Sequence, residues 1–504
     1  MTNKSKIIVL ALSLGLMVAC NNQNTTISKD SKEMEVMQND SKEKQGEKAS
    51  KDENSADDSN KENDKDVESS TVSKTNLSDR IDNNLEKISD ELVTKYIEDN
   101  IFPSAQVLVA KDGDILVKKA YGDAQLYKGE DFESIDKPEA TRLDNPIKST
   151  NNTLYDLASV TKIVATTQAI MKLDYEGKLD VNDKVSKYID GYEVNGKADI
   201  TIADLLTHTS GIPQWEPTFF YIDNNRDELL EYNKNLGITF DDGKVHYSDF
   251  GFMTLGYVVE SITGQSLDEY VENNIYKPLG MDHTFYKPLD KGVNKEEIAA
   301  TSWGNPFEYR MVDEKDYPDF GYDTTEHSEK FNQFDRWRNH VLIGEVNDGN
   351  TGMASDGIAG HAGIYSNTSD LAILCQLMLN GGTYKDVTLY DQSTIDKFTT
   401  NHTGESNRGY GFELAMKYMG EEASDKTYGH NGFTGTHISI DPENNTFIIF
   451  PFWISGCFFP RREMQTTSRY ASRTSAPLGE GYSFIALRFG TCKLARPYVS
   501  LFHS

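Results

Sequence analysis

The chain has 504 residues, 80 acidic and 51 basic, with a formal charge of −29 at pH 7. Nucleic acid and anionic membrane surfaces would repel such a chain, so no nucleic-acid role is expected. The length predicts one large two-lobed domain or two domains; the four cysteines, Cys20, Cys375, Cys457 and Cys492, are too scattered for a disulfide framework or a C-x-x-C zinc site, and no metal or other cofactor is expected.

Lys4 and Lys6, the apolar run 7–18 and Met17-Val-Ala-Cys20 read as a secretion signal over residues 1–20, too short for a comfortable transmembrane helix. The small residue followed by cysteine resembles a bacterial lipoprotein processing site. That implies Cys20 as a lipidated first residue holding the protein on the extracytoplasmic side of the cell membrane, with the anchor as the only membrane contact. Ordinary cleavage nearby, with Cys20 lost or free, is the alternative. Residues 21–76 are dominated by Lys, Glu, Asp, Ser and Asn, with no aromatic residue, no proline and one glycine, Gly46. Such a segment cannot bury enough apolar surface to offset its ordering entropy and is expected to be a disordered tether. Coil scaling gives it a reach on the order of 40 Å.

The folded body opens with Ile81, Leu85, Ile88, Leu92 and Tyr96 at helical spacing, after a candidate cap at Ser78. Two apolar runs, 105–110 and 115–121, flank Lys111-Asp-Gly-Asp114 and predict a hairpin. Asp156-Leu-Ala-Ser159-Val-Thr-Lys162 follows. If the run from Ser159 to about Leu173 is helical, positions i and i+3 share a face and the Lys162 amine reaches the Ser159 hydroxyl, pairing a nucleophile with a base. The spacing alone is weak, since Ser41-Lys-Glu-Lys44 in the tether has it too. Val160, Thr161, Ile163, Val164, Thr166 and Thr167 form helices poorly, so burial must hold the segment. The same burial is expected to lower the Lys162 pKa toward that of a usable base.

Thr201 and Asp204 suggest a capping box before Leu205 and Leu206, and His208 near the helix end suits backbone bonding better than catalysis. Tyr247-Ser-Asp249 precedes a buried helix over 250–262, ending near Gly264, and Pro278-Leu-Gly-Met281 closes a short helix over 267–275. Between Trp303 and Trp337 the chain is irregular and aromatic-rich, either a cleft-lining insertion or a satellite core. Gly357-Ile-Ala-Gly-His-Ala-Gly363 lacks the lysine and spacing of a phosphate loop, which excludes nucleotide binding there. Cys375 falls in an apolar helix and reads as a buried thiol. Segments 409–418, 427–433, 436–440 and 446–450 alternate with turns and predict an antiparallel meander containing Gly429-His-Asn-Gly-Phe-Thr-Gly435.

Taken in order, Leu157-Ala-Ser159-Val-Thr-Lys162, Leu205-Leu-Thr-His-Thr-Ser-Gly211, Tyr247-Ser-Asp249, Pro278-Leu-Gly-Met281 and Gly429-His-Asn-Gly-Phe-Thr-Gly435 resemble the serine hydrolases related to class C β-lactamases, penicillin-binding DD-peptidases and family VIII esterases. The resemblance spans roughly 102–450 and implies a domain over 77–450 of α+β fold, an antiparallel sheet flanked by helices plus a mainly helical lobe. It also implies Ser159, Lys162 and Tyr247 as the catalytic residues, and an oxyanion held by the backbone N–H groups of Ser159 and Phe433. Asp249, His430, Asn431 and Gly432 would then contact substrate.

Two departures bear on ligand choice. Asp249 stands where asparagine is best known and cannot donate an amide hydrogen bond. His430 replaces a lysine, so the local positive charge is expected to depend on pH near neutrality. Both weaken the case for a carboxylate-bearing β-lactam. A third departure is the basic tail 451–504, which reads as an out-of-frame or otherwise foreign ending, or else as a natural basic appendage. The expected function is an acyl-enzyme hydrolase acting on a peptidoglycan-derived peptide or another cell-envelope amide or ester. A β-lactamase is the alternative, and an inactive penicillin- or wall-polymer-binding sensor is the alternative of another class.

Overall fold

The computed structural model describes residues 75–133, 140–305, 308–309, 324–416, 419–420 and 422–452. The predicted signal, all but the end of the predicted tether, and the tail beyond Phe452 lie outside them. Thr75 is already tied to the body, its N–H donating to Asn380 Oδ1 at 3.1 Å and its carbonyl accepting from Asn380 Nδ2 at 2.8 Å.

An eight-stranded sheet organises the fold. Its first four strands are β1 (Ser78–Asp79), β2 (Ser104–Lys111), β3 (Asp114–Tyr127) and β4 (Arg142–Lys148); the late strands are β5 (Glu413–Leu414), β6 (Tyr428–Asn431), β7 (His437–Asp441) and β8 (Thr446–Ile449). The order is β1-β3-β2-β8-β7-β6-β5, with β4 on β3. Every pair is antiparallel except β1 with β3. The predicted hairpin and meander are therefore joined by β2 pairing with β8.

Alternation along the strands sends successive side chains to opposite faces. Val107, Val109, Ile448 and Phe450 face a cluster built on Leu85, Val93 and Tyr96 of helix α1 (Asn83–Glu98). Leu108, Ala110, Phe447 and Ile449 face the larger core, formed by the nucleophile segment and the helices around it. The sheet is thus a partition between two apolar layers, as expected of an α+β fold.

α1 corrects one expectation. Ser78 pairs in β1, and the cap is Asp82, whose carboxylate accepts from the N–H groups of Asn84 at 2.8 Å and Leu85 at 3.2 Å. Ile81 precedes the cap and is exposed rather than part of the buried stripe. An Asx side chain directly before the first turn satisfies orphan N–H groups that a serine four residues earlier cannot reach. Asp82→Ala is expected to cost about 1 kcal/mol in denaturant unfolding; an unchanged midpoint would mean that packing alone holds the helix end.

The predicted capping box is present, Thr201 and Asp204 bonding reciprocally at the start of helix α3 (Ile202–Leu206). The buried helix α5 (Asp249–Thr263) is capped by Ser248 and stops at left-handed Gly264. Between them lies α4 (Arg226–Asn235), and α2 (Thr167–Tyr175) continues from the nucleophile segment. The predicted helix over 267–275 is α-helical at Leu267–Val271 and widens into a π turn at Glu272–Tyr276. Cys375 is buried, and burial raises its thiol pKa. In the aromatic stretch, Phe331, Phe334 and Trp337 pack on Phe219 and Phe220, with Phe220 to Phe334 centroids 4.9 Å apart, and so extend the edge of the larger core rather than forming a satellite of their own. Phe307, Tyr317, Phe320 and Tyr322 lie outside the described residues. No helix among the described residues is long and apolar enough to cross a membrane.

Candidate active site

The β-branched run does not form an α-helix from Ser159. Ala158–Val160 is a 3-10 turn, Lys162–Thr166 a π turn, and α-helix begins only at Thr167. Poor intrinsic helicity and complete burial of 162–166 allow this widened winding, a form found often at functional sites. The predicted contact survives: Lys162 Nζ donates to Ser159 Oγ at 3.1 Å.

Ser159 is partly exposed, although the turn presenting it is strained. Ala158 has φ 46°, a left-handed conformation that costs a residue with a Cβ roughly 1–2 kcal/mol. Asp156 holds it, one carboxylate oxygen accepting the Ala158 N–H at 2.8 Å and the other the Asn347 N–H at 2.7 Å. Burial raises the Asp156 pKa to about 6 against the pull of those two N–H groups.

Lys162 is fully buried and donates to two further acceptors, Asp249 Oδ1 at 2.7 Å and the His361 carbonyl at 3.2 Å. Its ammonium also lies 4.8 Å from the Tyr247 ring centroid. Burial alone would lower its pKa, but the Asp249 carboxylate and Tyr247 outweigh it and hold Lys162 above its ordinary value. The expected depression toward a free base is therefore reversed: the acid that replaces asparagine supplies the counter-ion. Asp249, read from sequence as a substrate contact, is the ion-pair partner of the lysine.

Tyr247 precedes the α5 cap. Its hydroxyl forms hydrogen bonds with both Lys162 and Ser159. Burial raises the phenol pKa while the Lys162 charge opposes it, so Tyr247 rests protonated. His208 packs against its ring, centroids 4.4 Å apart, and accepts the Ser248 N–H on Nδ1 at 3.0 Å. This is the backbone-bonding role anticipated for it. Burial, then Arg408 and Lys162, keep His208 uncharged.

On β6, His430 is buried and donates from Nδ1 to the Asn431 carbonyl at 2.7 Å. Burial, followed by the charges of Lys162 and Arg408, puts its pKa well below the ordinary value. The anticipated titration near neutrality is corrected: His430 is a neutral group. Asn431 is engaged by Glu413 and His437, at 3.3 and 2.7 Å. Phe433 is exposed at the turn after the strand. Thr434 and Thr436 tie that turn to the nucleophile segment, their hydroxyls donating to the carbonyls of Asp156 at 2.8 Å and Leu157 at 2.7 Å.

Gly432 lies where these segments touch. A Cβ there would meet Thr436 Oγ1 at 2.0 Å and the Leu157 carbonyl at 2.5 Å. Gly432→Ala must push the strand away from Ser159 and is expected to lower kcat/KM about 100-fold, since a displacement of about 1 Å has that effect. Wild-type kinetics in a folded variant would contradict the contact.

Sequence reasoning missed Asp156 as a side-chain clamp, the His361 carbonyl, and Arg408. An aspartate two residues before a strained position is a legible turn signal; the other two have none. The His361 ring is fixed by Asp348, Nε2 to Oδ2 at 2.9 Å, which places the loop whose Gly360 carbonyl also takes the Thr166 hydroxyl at 2.6 Å. Cys20 lies outside the described residues.

Comparison with known proteins identifies the family and the fold. The sequence profile described as Beta-lactamase matches residues 89–452. A protein of Salmonella schwarzengrund, provisionally named D-alanyl-D-alanine carboxypeptidase, is 39% identical over 367 residues, 69% of this chain and 78% of its own length. Among solved structures, a penicillin-binding protein homologue from Caulobacter crescentus superposes with TM-score 0.54 at 17% identity, covering 74% of this chain and 92% of that one. A family VIII carboxylesterase superposes with TM-score 0.53 at 19% identity, covering 77% and 97%. The chain belongs to the Beta-lactamase family and has the fold that penicillin-binding protein homologues share with family VIII carboxylesterases.

Proposed function

We propose that this chain is a serine hydrolase that forms an acyl-enzyme on Ser159, with a cell-envelope peptide as its substrate. The observation that carries this reading is the meeting of Ser159, Lys162, Tyr247 and Asp249 from two distant segments in one hydrogen-bonded cluster. Ser159 Oγ attacks the substrate carbonyl carbon and the bond to the leaving nitrogen breaks. Tyr247 accepts the serine proton while passing its own to that nitrogen, so it need never rest as a phenolate. Lys162, balanced by Asp249, stabilises negative charge growing on the two oxygens. The N–H groups of Ser159 and Phe433 receive the oxyanion, worth about 3–4 kcal/mol per donor in comparable sites. His430, donating from Nδ1 to its own strand, offers Nε2 as an acceptor for a substrate N–H. Water then releases the acyl group as an acid.

The name borne by the Salmonella relative supports a D-alanyl-D-alanine peptide as the substrate. A lipid on Cys20, with residues 21–76 as tether, would place the enzyme at the outer face of the cell membrane, where such peptides lie. A purely binding sensor would have no use for the complete cluster.

The test is intact-protein mass spectrometry after exposure to penicillin and to a p-nitrophenyl ester, beside Ser159→Ala. A stable adduct on the Ser159 peptide with slow release supports the peptidase reading. Rapid penicillin turnover would replace it with a β-lactamase, and ester turnover alone with an esterase. No adduct with either reagent would sink the serine nucleophile.

A further inference from the structure

Two consecutive residues, Asn347 and Asp348, reach both ends of the catalytic turn. The Asn347 N–H binds Asp156, the carboxylate that also holds the strained Ala158 N–H. The Asp348 carboxylate accepts from His361 Nε2 at 2.9 Å, and the His361 carbonyl accepts from Lys162 Nζ at 3.2 Å. One link thus ends beside Ser159 and the other on its lysine.

The base of both links is rigid. Arg338, itself buried, donates to the carbonyls of Val346 and Asn347 at 2.5 and 2.7 Å and to Asn305 Oδ1 at 2.6 Å. Glu308 accepts the Gly349 N–H at 3.0 Å. The segment around His361 is strapped to the nucleophile segment on either side. Gly360 takes the Thr166 hydroxyl, while Ile364 accepts the Leu157 N–H at 2.9 Å and donates to Thr161 Oγ1 at 3.2 Å. Between those straps the ring sets the carbonyl. His361 is buried, and its Nδ1 has no hydrogen-bond partner among the described residues, whereas Nε2 meets Asp348 and, at 3.3 Å, Thr351 Oγ1. Burial would raise the Asp348 pKa, but His361 and Thr351 outweigh it and hold the carboxyl well below its usual range, an anion at every working pH.

We propose that Asp348 is a positioning residue: by gripping the His361 ring it keeps the His361 carbonyl against Lys162, and so keeps the ammonium aimed at Ser159 and Tyr247. This rests on the serine-hydrolase reading above. The carboxylate acts on the chemistry through one backbone carbonyl rather than by touching the reacting atoms.

Asp348 Oδ2 also caps the short helix Gly349–Ala354, accepting the Thr351 N–H at 2.7 Å, so the variants must separate that duty. Serine caps as well as aspartate does but is too short to reach His361, whereas asparagine can offer one oxygen to both donors, as Oδ2 does. The assay is p-nitrophenyl ester hydrolysis by the full chain, with rates taken per folded chain from circular dichroism. Asp348→Ser is expected to lower kcat about 10–100-fold with KM nearly unchanged, as displacement of a group that acts in the transition state does. His361→Ala should do the same, and the double variant should be no worse than either, because both changes break one link. Asp348→Asn should recover most of the rate. An unchanged rate per folded chain in Asp348→Ser, a loss confined to KM, losses that multiply in the double variant, or Asp348→Asn as slow as Asp348→Ser would each overturn the proposal. Ester turnover that survives Ser159→Ala would sink the serine nucleophile and this role with it. Full turnover in Asp348→Ser beside an inactive Ser159→Ala would leave the nucleophile standing and remove only the role of Asp348.

Discussion

Ser159→Ala is expected to reduce kcat/KM for ester and peptide substrates by about 10⁴-fold or more, and Lys162→Ala to do nearly the same. The double variant should be hardly worse than either, because residues that act as one unit give strongly non-additive losses. The physical basis is the shared hydrogen-bond system, in which the Lys162 ammonium touches Ser159 Oγ at 3.1 Å and Asp249 at 2.7 Å. Removing the serine takes away the proposed nucleophile. Removing the lysine leaves Asp249 as a charge without its partner and Tyr247 without the cation that steadies its oxygen. Steady-state rates on one ester, with circular dichroism to establish folding, would decide the matter. Losses that simply multiplied in the double variant would mean that the two side chains act separately.

The second large effect concerns stability. Lys162 is fully buried, and its partner Asp249 is 15% exposed. Asp249→Ala should therefore destabilise the fold by about 3–5 kcal/mol, the usual result of leaving one buried charge uncompensated. The pH dependence has a definite sign. In the wild type the Lys162 pKa is raised, so the pair stabilises the fold at and below the unfolded pKa of about 10.4, and that contribution is lost as pH climbs through the higher folded value. In the variant, burial is left as the dominant influence and the folded pKa falls below the unfolded one. The penalty is then complete near neutrality and disappears as the lysine deprotonates. The gap between wild type and variant should be widest near neutrality, narrow as pH rises through the variant's folded value, and close only above the raised folded pKa of the wild-type lysine. Lys162→Met with Asp249→Leu should recover much of the stability and none of the activity, since an apolar pair of similar volume often replaces a buried ion pair without cost. Urea unfolding at two pH values tests this, and a gap that widened with pH would contradict it.

Much of the framework was readable from residue order because its causes are local. The hairpin follows from two alternating runs around Asp112-Gly113, whose positive φ angles the turn requires. The stop of α5 follows from Gly264 in the left-handed region, and the capping box at Thr201 from a side chain three residues from its partner. Ser159 and Lys162 are also a local pair, so their contact survived even though the winding between them is a π turn and not the expected α-helix. The cap of α1 was misplaced because two candidate acceptors, Ser78 and Asp82, precede the same apolar stripe, and only the pairing of β1 with β3 decides between them.

Residue order by itself determined the pairing of Ser159 with Lys162, the strand and helix pattern, and the order of the motifs that carry the family resemblance. Each depends on neighbours a few positions apart or on the alternation of apolar side chains. Tertiary structure decided the charge states. Asp249 reaches Lys162 across 87 positions and reverses the direction in which burial would move the lysine. His430 and His208 are neutral because the core closes over them beside two cations. Arg408 lies 5.8 Å from the Tyr247 ring centroid only because its loop folds back over that tyrosine. Desolvation and Coulomb energy depend on distances in space and on what excludes water, and neither can be read from positions along a chain.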